Sequence, residues 1–275
     1  MSATRDVITV EHRGCRFSCE VRGSGPPVVL VQGVGVAGSG WEPQVDELAD
    51  GYRCLTFDNR GMGASQPPGA PITVAQMAED ALHLMTHLGW ESAHVVGHSL
   101  GGPVALEMAL AHPARVRSLA LLCTCARGRD ATRLSPELVW LGIRSRVGSR
   151  RMRRRAFLRM VMPEEALTGA DPDAIAARLA PLFGHDLADQ PPIAMKQLSA
   201  LRAFDARDRL ARIAVPTLVL SATDDPIAPP RFGKALAEGI PGAWWVEVDA
   251  SHGVTLHRPD LVNPYLEEHL ARAAS

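Results

Sequence analysis

Five consecutive residues constrain this chain more than any others. Gly97-His98-Ser99-Leu100-Gly101 stands between an apolar run at 93–96 and a second one at 103–110 that reads as an opening helix. Strand, Gly-x-Ser-x-Gly, helix is the pattern of a sharp turn that lifts a serine hydroxyl over the end of a sheet. A Cβ at Gly97 or Gly101 would crowd such a turn. Ser99 also falls at a helix N-terminus, where backbone N–H groups favour developing negative charge. The pentapeptide alone is weak, because serine is a common helix N-cap. Its downstream context carries more weight. A nucleophilic serine needs a base and a group to orient that base, and after this turn they follow in the order acid, then histidine. The apolar run at 217–222 leads into Thr223-Asp224-Asp225-Pro226, and the run at 244–248 leads into Asp249-Ala250-Ser251-His252-Gly253. His94, His98 and His257 compete for the role of base, but His252 alone follows directly on the last strand-like run.

Around these motifs the pattern alternates. Residues 7–22 read as a β-hairpin with Arg13-Gly14 at its turn. Strand-like runs recur at 27–32, 53–57, 93–97, 116–123, 214–220 and 244–248, separated by helical patterns at 42–50, 73–89, 102–112, 230–238 and 260–272. Alternation of this kind predicts an α/β fold: a mostly parallel sheet of about eight strands, flanked by helices on both faces. Residues 126–206 break the alternation with amphipathic helical stretches and repeated prolines. They read as a helical cap inserted into a core made of residues 1–125 and 207–275.

Composition narrows the field by exclusion. The 275 residues carry a net charge of −1, so no overall field argues for nucleic acid. No run of about 18 apolar residues predicts a membrane span, and no basic-then-apolar leader is visible. The five cysteines are odd in number and sit mostly in strand-like runs, which predicts free buried thiols and a cytoplasmic setting. Cys123-Thr124-Cys125 is not a zinc spacing. His83 and His87 lie one helical turn apart, but no third ligand accompanies them. Gly61-Met62-Gly63 lacks the rest of a dinucleotide fingerprint. No metal or cofactor is expected.

Five segments in order carry a family resemblance: Val28-Val29-Leu30-Val31-Gln32-Gly33-Val34-Gly35; Phe57-Asp58-Asn59-Arg60-Gly61-Met62-Gly63-Ala64-Ser65; the serine turn; Asp225-Pro226-Ile227-Ala228-Pro229; and Ser251-His252 through Arg258-Pro259. Together they resemble the α/β-hydrolases, and bacterial esterases and enol-lactonase-like members most. The resemblance implies Ser99 as nucleophile, His252 as base and Asp225 as the orienting acid, with Asp224 as the alternative. It implies an oxyanion hole from the backbone N–H groups of Val34 and Leu100. Gln32 stands where histidine is common, which leaves main-chain donors intact. Asp58 and Arg60 read as loop braces held by ion pairing. Gln32, Gly33, Trp41, His98, Trp140 and Phe157 are candidate pocket residues, with a packed core tryptophan the competing reading of Trp41. The arginine-rich start of the cap reads as a solvated helix face, with attachment to anionic lipid as the alternative. The implied activity is cofactor-independent hydrolysis of a small apolar ester or lactone through an acyl-enzyme. The same triad would also serve perhydrolysis, C–C bond hydrolysis or acyl transfer, and a non-catalytic receptor on this scaffold is the other alternative.

Overall fold

A computed structural model describes residues 5–132 and 135–273. β1 (Arg5–His12) and β2 (Cys15–Arg22) form an antiparallel hairpin. Arg13 and Gly14 turn it with φ of 46° and 73°, the left-handed pair that a two-residue hairpin favours. β2 runs antiparallel to β4 (Arg53–Phe57). From there β3 (Pro27–Val31), β5 (Ala93–His98), β6 (Val116–Leu122), β7 (Thr217–Ala222) and β8 (Trp244–Val248) are parallel. The sheet order is β1-β2-β4-β3-β5-β6-β7-β8. Parallel strands end on one edge, so the residues that follow β3, β5, β7 and β8 share it.

Alternation along the strands explains why both faces are covered. Val28 and Leu30 point to one face and pack with Val45 and Leu48 of α1 (Glu42–Leu48) and Leu266 and Leu270 of α12 (Asn263–Arg272). Val29 and Val31 point to the other. They pack with Met77 and Leu84 of α2 (Val74–His87), Val104 of α3 (Gly101–Ala111) and Leu236 of α10 (Pro230–Gly239). Full burial of each such side chain is worth about 1.5–3 kcal/mol, so the sheet is held from both sides. Two expected boundaries move. β7 starts at Thr217 rather than 214, because Pro216 has no N–H for the ladder and only its carbonyl is used, by Leu119 N at 2.9 Å. The expected helix 260–272 divides into a 3-10 turn, Pro259–Leu261, and α12, which restarts with Pro264 in its first turn.

Between β6 and β7 lie α4 (Gly128–Ala131), α5 (Pro136–Arg144), α6 (Arg150–Val161), α7 (Glu164–Leu167), α8 (Pro172–Phe183) and α9 (Ile193–Ala203). Ser135, Ser149 and Asp171 cap α5, α6 and α8 through their side-chain oxygens. This insertion has its own small core, in which Leu158, Val161, Leu179 and Phe183 pack with Val36 of the sheet's loop. Much of the basic run on α6 is paired rather than loose. Arg150 meets Asp186 and Asp189, Arg151 meets Asp171 and Asp173, and Arg154 meets Asp173 and Asp186. No helix among the described residues is long and apolar enough to cross a membrane.

Candidate active site

Ser99 sits between the end of β5 and the start of α3 with φ of 52°, a conformation that costs a non-glycine residue about 1–3 kcal/mol. Three bonds hold it there. Its N–H donates to Leu122 O at 3.0 Å, and its carbonyl accepts from Thr124 Oγ1 at 2.7 Å and Gly102 N at 3.0 Å. The flanking glycines are obligatory: a Cβ on Gly97 would lie 2.3 Å from Gly101 O, and one on Gly101 would lie 2.0 Å from Val31 O.

The fold brings His252 and Asp225 to this serine. Ser99 Oγ lies 3.0 Å from His252 Nε2, and His252 Nδ1 lies 2.7 Å from Asp225 Oδ2. Asp225 and His252 are 3% and 6% exposed, whereas Asp224 is exposed and its side chain stays out of this chain of bonds. Asp225 Oδ1 accepts from Ile227 N and Ala228 N, both at 2.8 Å. Burial is the largest single influence on this carboxyl and opposes its charge. The adjoining His252 and the two backbone donors together outweigh burial and hold Asp225 below the usual carboxylate range. An ionised Asp225 accepts only, so His252 carries its proton on Nδ1 and leaves Nε2 free to accept from Ser99 Oγ–H.

His98 is a brace for this arrangement. Its Nε2–H donates to the His252 carbonyl at 2.8 Å. Burial, aided by the neighbouring His252, pushes its pKa down to about 3, so the ring is neutral and its second nitrogen bare. His94 and His257 point elsewhere, to Ser118 Oγ and Gly253 O.

The loop after β3 is pinned on both sides of Val34. Gly33 N donates to Gln32 Oε1 at 3.1 Å, and Asn59 Nδ2 donates to Gln32 O at 3.1 Å. Gly35 N donates to Gln197 Oε1 at 2.9 Å, and His185 Nε2 donates to Gly35 O at 2.9 Å. The loop passes so close that a Cβ on Gly33 would be 3.0 Å from Ser99 Cβ. Among the described residues, neither Val34 N–H nor Leu100 N–H donates to a protein acceptor. Two unused donors beside a serine hydroxyl are the elements of an anion-stabilising site. Asp58 braces this region by accepting from Gly38 N and Ala64 N rather than by an ion pair, while Arg60 pairs with buried Asp80.

Above Ser99 lies a cavity of about 440 Å³, walled by Val34, Val36, Phe157, Met160 and Phe183. Gln32, Gly33 and His98 also line it. Trp41 and Trp140 do not. Trp41 is fully buried, edge-on to His98 and packed with Val45 and Leu48, so the packed-core reading of this residue holds. Trp140 is 55% exposed because the phase of α5 turns Leu138 and Leu141 inward and Trp140 out. Among the described residues, the charged side chains on the wall are Arg146 and Arg202, and no Asp or Glu lines it. Sequence reasoning missed Gln197, Thr124 and the carbonyl of Val161, which accepts from Gly253 N at 2.7 Å. Their contacts join distant segments and leave no local pattern. Among the described residues no three His, Cys, Asp or Glu side chains converge as metal ligands, and His83 stacks on His12 with ring centroids 4.2 Å apart. All five cysteines are free and buried.

A family model of the α/β-hydrolase fold matches residues 26–259. The protein named "Putative carbamate hydrolase RutD" of Azorhizobium caulinodans is 34% identical over 258 residues, 90% of this chain and 92% of that one. Among solved structures, the enol-lactonase from Burkholderia xenovorans LB400 is 29% identical with a TM-score of 0.81, covering 96% of this chain and all of that one (100%). A thermophilic esterase from Thermogutta terrifontis is 28% identical with a TM-score of 0.79, covering 99% and 100%. Sheet order, serine turn and matched length agree: the chain belongs to the α/β-hydrolase fold family and is a hydrolase.

Proposed function

We propose that the protein is a cofactor-independent serine hydrolase that cleaves a small carboxylic ester or lactone through an acyl-enzyme. In this reading His252 takes the Ser99 proton as Oγ attacks the acyl carbon, and Val34 and Leu100 N–H groups hold the oxyanion. His252 then returns the proton to the leaving oxygen, and water repeats the sequence on the acyl-enzyme. One observation carries the reading: an unbroken line of hydrogen bonds from Asp225 through His252 to Ser99, beside two unused main-chain donors at the floor of an apolar cavity. Residues 126–206 act as a cap whose apolar side chains meet the acyl part. Among the described residues the wall carries Arg146 and Arg202 and no acid, which favours neutral or anionic acyl compounds over amines. The free thiols suit a reducing compartment, and we place the enzyme in the cytoplasm.

Carbamates are the second reading, favoured by the name of the 34% identical relative. The attack is the same and the intermediate becomes a carbamoyl-enzyme. A panel of p-nitrophenyl esters, lactones and aryl carbamates, run on the wild type and on Ser99→Ala, tests both. Ester or lactone turnover that vanishes in Ser99→Ala is expected. Turnover confined to carbamates selects the second reading, and a Ser99→Ala variant with wild-type rates contradicts both.

A further inference from the structure

Among the described residues seven large apolar side chains are left exposed, and six of them belong to the helical insertion: Val139, Trp140, Ile143, Val147, Met152 and Met195. They form one face. Val139, Ile143 and Val147 recur every fourth residue along α5 and its end, which places them in one stripe. The Arg144 guanidinium lies 5.6 Å from the Trp140 ring and reaches Met152 Sδ at 3.4 Å. Arg146 reaches Met195 Sδ at 3.5 Å and Gly142 O at 3.0 Å. α5 already buries Leu138 and Leu141 inward, so it is apolar on both sides, which a helix facing only water is not.

Charge distinguishes what would cover this face. Residues 135–161 hold eight arginines and a single acid, Glu137. Arg150, Arg151, Arg153, Arg154 and Arg159 are taken up in ion pairs. Arg144 and Arg146, the two set among the exposed apolar side chains, form none among the described residues. Gly142, Arg146 and Met195 also line the cavity above Ser99, so the face adjoins it. We propose that this face docks on an anionic amphiphile surface, a bilayer or micelle with negatively charged headgroups. Trp140, Ile143 and Val147 enter the apolar layer while Arg144 and Arg146 meet the headgroups. A two-fold pairing with a second copy would instead press together two faces that each carry Arg144 and Arg146 without an ion-pair partner among the described residues, which like charge disfavours.

Flotation of the full chain with vesicles tests this without any substrate, so it stands apart from the hydrolase reading. The expected result is flotation with phosphatidylcholine vesicles that contain phosphatidylglycerol, little with phosphatidylcholine alone, and release by high salt. Trp140→Ser combined with Ile143→Ser should cut the bound fraction roughly tenfold or more and leave hydrolysis of a monomeric, water-soluble ester unchanged, since neither side chain lines the cavity. Trp140→Ser alone serves if the double variant does not fold, and Arg144→Glu should weaken binding to anionic vesicles only. Three results would overturn the proposal: no flotation at low salt, equal flotation with and without anionic lipid, or a solution dimer that the double variant dissolves.

Discussion

The sheet and the helical insertion contribute to the same site by different means. The sheet places reacting atoms. Ser99, Asp225 and His252 each follow a parallel strand, and hydrogen bonds from their own turns and from neighbouring strand ends hold them in place. The insertion lends no atom to that line of bonds. It acts through the backbone of the loops instead: Gln197 accepts from the Gly35 N–H and His185 donates to the Gly35 carbonyl, and Val161 O holds the residue after His252. Chemistry and its surroundings are thus separable, and substitutions in the two regions should differ in kind.

The largest separation lies in the acid. Asp225→Asn removes the charge that fixes the His252 tautomer and should lower kcat by roughly three orders of magnitude or more. Asp224→Asn, at an exposed side chain outside the relay, should leave kcat almost unchanged. Paired kinetics on one ester decide it, and the reverse ordering would move the acid to Asp224.

Acid should weaken the sheet and the helices packed on it before it weakens the insertion. Burial pushes His98 down to about 3, and His94 and His269 down to about 4. The unfolded chain, with histidines near 6.5, binds these protons first as pH falls, so stability is complete above about 6.5 and is lost on the way to about 4. Each group contributes up to about 1.4 kcal/mol per pH unit across that window. In the insertion, Asp171, Asp173 and Asp186 are held low by hydrogen bonds from arginines, so their contribution is lost only as pH falls below the usual carboxylate value of about 3.9. Those pairs are exposed or only half-buried and contribute little. A melting temperature that stays flat between pH 7 and 5 would contradict this order.

Gln197→Ala comes next. It frees the Gly35 peptide and loosens Val34 N–H without touching Ser99. A full oxyanion donor is worth 10²–10³ in kcat, so a loosened one should cost roughly tenfold, with KM little changed and affinity for a boronic-acid transition-state mimic falling in parallel. A rise in KM alone would make Gln197 only a wall of the pocket.

The smallest effects concern selectivity. Phe157→Ala enlarges the cavity and should shift preference toward longer acyl chains by about 1–3 kcal/mol, with small-ester turnover retained. Trp140→Ala, on the outer side of α5, should leave the chain-length profile unaltered. If Phe157→Ala leaves the profile unaltered too, the insertion does not set acyl selectivity.

What could be read in advance follows the same division. The serine turn, acid turn and histidine loop are local, each a strand end followed by a few residues, so their order and glycine spacing carry the information. The eight-stranded sheet follows from alternation of strand and helix patterns. Trp140 was misplaced because a helix's inward face depends on its phase, which the Ser135 cap sets, and Leu138 and Leu141 take the inner positions. Trp41 stood open because an aromatic beside a loop can wall a pocket or pack beneath it. Gln197 and Gly35 lie 162 residues apart, and no sequence pattern announces their bond.

In the proposed mechanism Ser99 is the nucleophile and His252 activates it. Intact-mass analysis after exposure to a fluorophosphonate probe tests this most directly. The expected result is a single covalent adduct, mapped to Ser99, absent in Ser99→Ala and formed far more slowly in His252→Ala. An adduct on another residue, or a wild-type protein that hydrolyses esters yet takes up no probe, would contradict it.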